Sequence, residues 1–167
     1  WGLRPGLMAG FLFGLLQLIF DGAYAWGWQS MLLDYLVAFT PLGLAGLFKG
    51  KKWGIFVGTV VGCLGRFVVH YISGVTIYKI LAPTEFMKWT FTSPSAYSLV
   101  YNGSYMLPET IITVAGALLI SLFLDFSSPS ITRRRAKTEE ALPRNNAALA
   151  AKLVGVVTVI GGILYSV

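Results

Sequence analysis

His70 sits inside an apolar run of the chain, with Arg66 one helical turn before it and Asp34 in the preceding apolar run. Ionisable groups at membrane depth are costly, so they usually face a cavity or one another. An imidazole, a guanidinium and a carboxylate among many aromatics point to a small polar ligand held inside a helix bundle. Two other readings stay open from these residues. His70 as a general base oriented by Asp34 would describe an intramembrane enzyme, but that chemistry needs a nucleophile or metal set which one His and one Cys hardly supply. Arg66 paired with Asp34 as a bridge would describe a purely structural membrane subunit.

The composition decides what must position these groups. Of 167 residues, 56% are hydrophobic and only 12% are charged, with a mean hydropathy of +0.70. A soluble domain carries about 25% charged residues, so the chain falls in the membrane class. A formal charge of +6 could point to nucleic acid, but the placement of the charges argues against it. Arg133, Arg134, Arg135, Lys137 and Arg144 share one polar segment, and Lys49, Lys51 and Lys52 form a second cluster. Both flank apolar runs, where a positive-inside signal belongs. Cys63 is alone, which excludes an internal disulfide, and one Cys with one His does not make a structural zinc site. No charged stretch precedes the first apolar run, so no signal peptide is read. The start at Trp1 leads us to expect a chain that begins partway through a longer protein.

A spanning helix needs roughly 20 mostly apolar residues. Five runs qualify: Pro5–Tyr24, Met31–Phe48, Trp53–Ile80, Tyr97–Phe126 and Ala147–Val167. Residues 127–146 form a polar, basic linker, and residues 81–96 a connector with Pro83, Glu85, Trp89 and Pro94. Arg4, the Lys49–Lys52 cluster and the Arg-rich linker fall on one side, expected to be cytoplasmic. Trp26 and Trp28, on the other side, read as anchors at the membrane boundary. The expected fold is therefore an all-α, polytopic membrane helix bundle in the cell membrane, surrounded by lipid.

Gly6, Gly10 and Gly14 repeat every four residues, as do Gly54, Gly58 and Gly62. Such spacing opens a groove for a neighbouring helix, and packing within the bundle is favoured over a dimer interface. Pro41 and Pro108 interrupt apolar runs and would free backbone carbonyls near a pocket wall. Glu109, just after Pro108, either tunes gating or partner contact or caps the freed backbone; the residues leave both open.

On this topology Asp34 and Tyr35 begin the second span, Arg66 and His70 lie in the third, Tyr97 and Asn102 begin the fourth, and Tyr24 ends the first. Four segments thus bring polar or aromatic groups to one depth near the outer leaflet. Asp21 is ambiguous, because it could simply lie at the interface. A carboxylate among aromatic faces suits a flat cationic ligand, with cation–π attraction of about 2 kcal/mol where desolvated. Asn102 can both donate and accept, which suits a heterocycle edge.

The same residues carry a resemblance. The run Leu33-Asp34-Tyr35-Leu36-Val37-Ala38-Phe39, continuing to Gly43-Leu44-Ala45-Gly46-Leu47-Phe48, resembles a motif of the thiamine-specific S components (the ThiT or YuaJ family) of energy-coupling factor (ECF) transporters. Arg66-Phe67-Val68-Val69-His70-Tyr71-Ile72-Ser73-Gly74 and Tyr97-Ser98-Leu99-Val100-Tyr101-Asn102-Gly103 are similar to two further motifs, and the opening Gly6–Gln17 also fits. The resemblance covers residues 1–126. It implies a substrate-binding membrane subunit that captures thiamine at the outer side and delivers it through an ATP-driven complex with a membrane coupling subunit and two ATPase subunits. It implies no catalysis, cofactor or metal in this chain. Asp34 falls where the family has an acidic pocket residue, usually Glu. His70, Tyr97 and Asn102 match ligand-contacting positions. Tyr35, Tyr24 and Arg66 align with the pocket wall and its hydrogen-bond network. Tyr78 stands where a stacking Trp is typical, and Trp89 is the alternative source of that ring. The family plan has two further helices ahead of the first segment, so an N-terminally truncated S component is expected, with residues 147–167 as an additional apolar, transmembrane helix.

Overall fold

The computed structural model describes residues 2–22, 27–77, 84–126, 131–133 and 151–152. Tyr24, Tyr78, most of the Arg-rich linker and all but two residues of the fifth apolar segment lie outside them. Four described helices are long and apolar enough to cross a membrane: α1 (Leu3–Phe20), α2 (Trp28–Phe48), α3 (Gly54–Ile77) and α4 (Pro94–Phe123). The chain is a polytopic helical membrane protein.

α1 ends where Asp21 and Gly22 return their amides to Gln17 and Ile19, with Gly22 at φ +69°. That left-handed conformation costs glycine nothing. α2 is not a uniform helix. Met31–Val37 is wound as a π-helix and Thr40–Phe48 as a 3-10 helix. The change in winding falls around Pro41, which has no N–H to offer the preceding turn.

α2 lies between two ladders of glycine. On α1, a Cβ at Gly6 would meet the Gly43 carbonyl at 2.8 Å, and one at Gly10 the Phe39 carbonyl at 2.6 Å. On α3, Gly58 abuts Ala45, Gly62 abuts Leu42 and Gly65 abuts Pro41. Both four-residue repeats therefore serve packing inside the bundle, where close backbone approach supplies the dispersion contacts that hold membrane helices together. The contact of α1 with α2 brings the Arg4 end beside Lys49, so the first two basic features share one end of the bundle.

α4 starts on a Ser93 cap that accepts the Ala96 amide, and it runs unbroken through Pro108. It ends at Phe123, short of the expected Phe126, because Leu124–Asp125 (β3) turns extended and pairs antiparallel with Thr132–Arg133 (β4). The connector before α4 is also structured. Thr84–Phe86 (β1) and Trp89–Phe91 (β2) form a hairpin whose turn residues, Met87 and Lys88, both have positive φ. This is the twist that a tight two-residue hairpin demands.

The described interior is small and partly polar. Beside Ala38, Phe39, Met106, Ala115 and Ala117 it buries Ser30, Ser73, Ser98 and Asn102. Buried polar side chains between spans mark where the bundle does something other than pack.

Candidate ligand-binding site

Asp34 lies within the π-helical part of α2, a winding that often marks functional positions. Ser30, one turn earlier, donates its hydroxyl to Asp34 Oδ2 at 2.7 Å. His70 Nδ1 on α3 lies 3.5 Å from Asp34 Oδ1. Ser73, on the same stretch of α3, is fully buried beside Asp34 without a hydrogen bond of good geometry.

Arg66 reaches His70. Its Nε donates to His70 Nε2 at 3.4 Å. The other ring nitrogen, Nδ1, faces Asp34. Arg66 Nη1 reaches Glu109 of α4 at 2.5 Å. The guanidinium also lies 4.2 Å above the ring of Phe39, a cation–π contact with a buried partner. The carboxylate contacts among these groups are thus Arg66 with Glu109 and His70 with Asp34. Arg66 does not bridge to Asp34, and the carboxylate of Glu109 is spent on Arg66 rather than on the backbone near Pro108.

Phe39 ties the network to the rest of the bundle. Phe13 of α1 meets its ring edge-on at 5.3 Å, and His70 does so at 6.3 Å. Slow π winding, with bonds from i to i+5, helps place Asp34 and Phe39 toward the same neighbour although they are five apart.

α4 contributes Asn102. Its Nδ2 donates to the Ser98 carbonyl at 2.9 Å, to Ser98 Oγ at 3.1 Å and to the His70 carbonyl at 3.4 Å. Two of these partners are carbonyls, which only accept, so the amide orientation is fixed. Ser98 Oγ in turn donates to the Tyr71 carbonyl at 2.9 Å. Such interhelical bonds are each worth about 0.6 kcal/mol in a membrane. Tyr105 donates to Asn102 Oδ1 at 2.7 Å. The amide hydrogens of Asn102 are therefore committed to the protein. What it has left to offer is acceptor capacity on Oδ1, narrower than the donor-and-acceptor role expected from its type.

Tyr97, Tyr101 and Tyr105 form a row along α4. Tyr97 and Tyr101 stack at 5.5 Å, and Tyr101 meets Tyr105 edge-on at 5.7 Å. Tyr105 meets His70 at 6.4 Å. At the other end of the row the hairpin rests on it, Phe86 against Tyr101 at 5.3 Å and Phe91 against Tyr97 at 6.0 Å. Tyr97 thus joins the site through this row. Trp89 stands on the hairpin with 70% of its surface exposed. Tyr35 directs its hydroxyl to Asp21 at the end of α1.

Asp34, Arg66, His70 and Asn102 are brought together as one network, while Tyr24 and Tyr78 lie outside the described residues. Ser30, Phe39, Ser98 and Tyr105 were not singled out from the sequence. Ser98, Asn102 and Tyr105 share a helical face by their spacing, a visible signal. Phe39 had none, because its placement depends on the π turn.

Comparison with known proteins agrees with this architecture. Residues 1–129 match the family model described as "Thiamine transporter protein (Thia_YuaJ)". The chain is 36% identical over 125 residues to "Thiamine transporter ThiT" of Bacillus subtilis strain 168, covering 67% of this chain and 62% of the relative. It is 34% identical over 139 residues to "Thiamine transporter ThiT" of Lacticaseibacillus paracasei, covering 71% of this chain and 65% of the relative. The chain therefore spans under two thirds of the length of these relatives. By a match that takes in all four described spans, the chain belongs to the thiamine transporter family.

Proposed function

We propose that this chain is the thiamine-capturing subunit of an uptake system and that the Asp34–His70–Asn102 network is its binding site. The observation that carries this reading is a charge balance. Arg66 is neutralised by Glu109. The carboxylate of Asp34, held by Ser30 and His70, has no Lys or Arg paired to it among the described residues. A half-buried carboxylate with no Lys or Arg beside it is unfavourable without a ligand, and a cation is what it lacks. Thiamine brings a thiazolium cation and an aminopyrimidine. Asp34 and Asn102 Oδ1 supply acceptors for its N–H groups, and the tyrosine row supplies flat faces for stacking.

In this reading thiamine enters from the end of the bundle opposite Lys49–Lys52, which is outside by the positive-inside rule. Delivery inward is driven by partners: a membrane coupling subunit and two ATPase subunits of an ECF complex. The chain has no glycine-rich loop of the kind that cradles ATP, which supports an external energy source.

Uptake tests this directly. Labelled thiamine should accumulate in thiamine-requiring cells that express the complete reading frame with the coupling subunit and both ATPases. Accumulation should stop when the ATPases are inactivated. Equal accumulation without those subunits would overturn ECF coupling. Failure of the purified protein to bind thiamine at all would overturn the ligand.

A further inference from the structure

Glu109 lies two turns beyond Asn102 on α4, outside the residues expected to touch a ligand, and its side chain is half exposed. Yet it holds Arg66, Arg66 holds His70, and His70 faces Asp34. We propose that Glu109 is a specificity-determining residue: by cancelling the charge of Arg66 it leaves the Asp34 carboxylate free to act on a ligand, and so selects a cationic ligand over a neutral one. This rests on the reading of the site as thiamine-binding.

Arg66 lies midway along α3, one helical turn before His70. Its guanidinium is nearly buried, and its only carboxylate partner among the described residues is Glu109. Without Glu109 the positive charge of Arg66 would stand beside His70, near Asp34, and would compensate the carboxylate itself. A ligand cation would then be repelled by Arg66 while it is drawn by Asp34. A ligand of the same shape but no charge would be indifferent to the change. Glu109 acts through Arg66 and need not touch the ligand.

The test compares two ligands: thiamine, and the uncharged aminopyrimidine alcohol that forms its non-thiazolium half. Their affinity ratio in the purified protein is the readout. Glu109→Gln should weaken thiamine about tenfold, the effect of one unit charge at close range in a partly buried site, and leave the neutral ligand within about twofold. Arg66→Gln should move the ratio the opposite way, toward thiamine, because it leaves two carboxylates. The double variant should return the ratio to near its original value. A purely structural role would lower both affinities together. Equal losses for the two ligands, or a ratio that moves the same way in both single variants, would overturn the proposal while thiamine binding by the unmodified protein stands. Absence of thiamine binding in the unmodified protein would instead overturn the reading beneath it. Glu109→Asp, which keeps the charge, should hold the ratio; a shift as large as that of Gln would also count against the proposal.

Discussion

Tyr105 donates its hydroxyl to Asn102 Oδ1 at 2.7 Å, from the next turn of the same helix. That bond completes the restraint on an amide whose nitrogen is already held by Ser98 and by the His70 carbonyl. The consequence is a site that presents acceptors, Asp34 and Asn102 Oδ1, and no free amide donor from Asn102.

A first prediction concerns this acceptor character. A thiamine analogue with an oxo group in place of the exocyclic amino group would set an acceptor against fixed acceptors. Leaving such groups unpaired costs about 1–3 kcal/mol. The analogue should bind at least tenfold or so more weakly than thiamine in a competition assay. Equal affinity would show that the amide is free to turn.

A second prediction separates two kinds of glycine. A Cβ at Gly14 would meet the Tyr35 carbonyl at 2.5 Å, whereas one at Gly103 would meet nothing within 4 Å. Gly14→Val should cost about 1–3 kcal/mol by forcing α1 from α2. Gly103→Ala should be neutral or stabilise by up to about 1 kcal/mol through helix propensity. Thermal unfolding in detergent reads both.

A third prediction concerns the hairpin. Phe86 and Phe91 are its contacts with the tyrosine row. Phe86→Ala should loosen it, seen as faster amide hydrogen exchange across residues 84–91, with exchange in α3 unchanged. Unchanged protection of the hairpin would mean that it is held by something other than these rings.

Much of the bundle was legible in the sequence because hydropathy and glycine spacing are direct imprints of lipid and of close helix contact. The four described spans and the in-bundle use of both glycine repeats follow from them. Helix ends were less legible: α4 stops at Phe123 because β3 and β4 pair, a contact between segments that no local pattern announces. The hairpin at residues 84–91 lay hidden because its turn uses Met87 and Lys88 rather than Asn-Gly or Asp-Gly. In the site, the gathering of Asp34, Arg66, His70 and Asn102 was expected from their depth, but the pairing was not. Arg66 has two carboxylates within reach of its span, and only packing of α3 on α4 decides for Glu109. The acceptor-only state of Asn102 likewise depends on backbone carbonyls, which every residue carries and no sequence pattern marks.

Asp34 is the centre of the account, because its carboxylate, with no Lys or Arg beside it among the described residues, is what calls for a cation. Titration of the purified protein with thiamine, beside Asp34→Asn, tests that claim most directly. Removing one partner of a buried charged contact costs about 2–5 kcal/mol. Binding should saturate at one site and fall at least about thirtyfold in the variant, with the helical content of both proteins equal. Thiamine affinity that is unchanged in Asp34→Asn would contradict it.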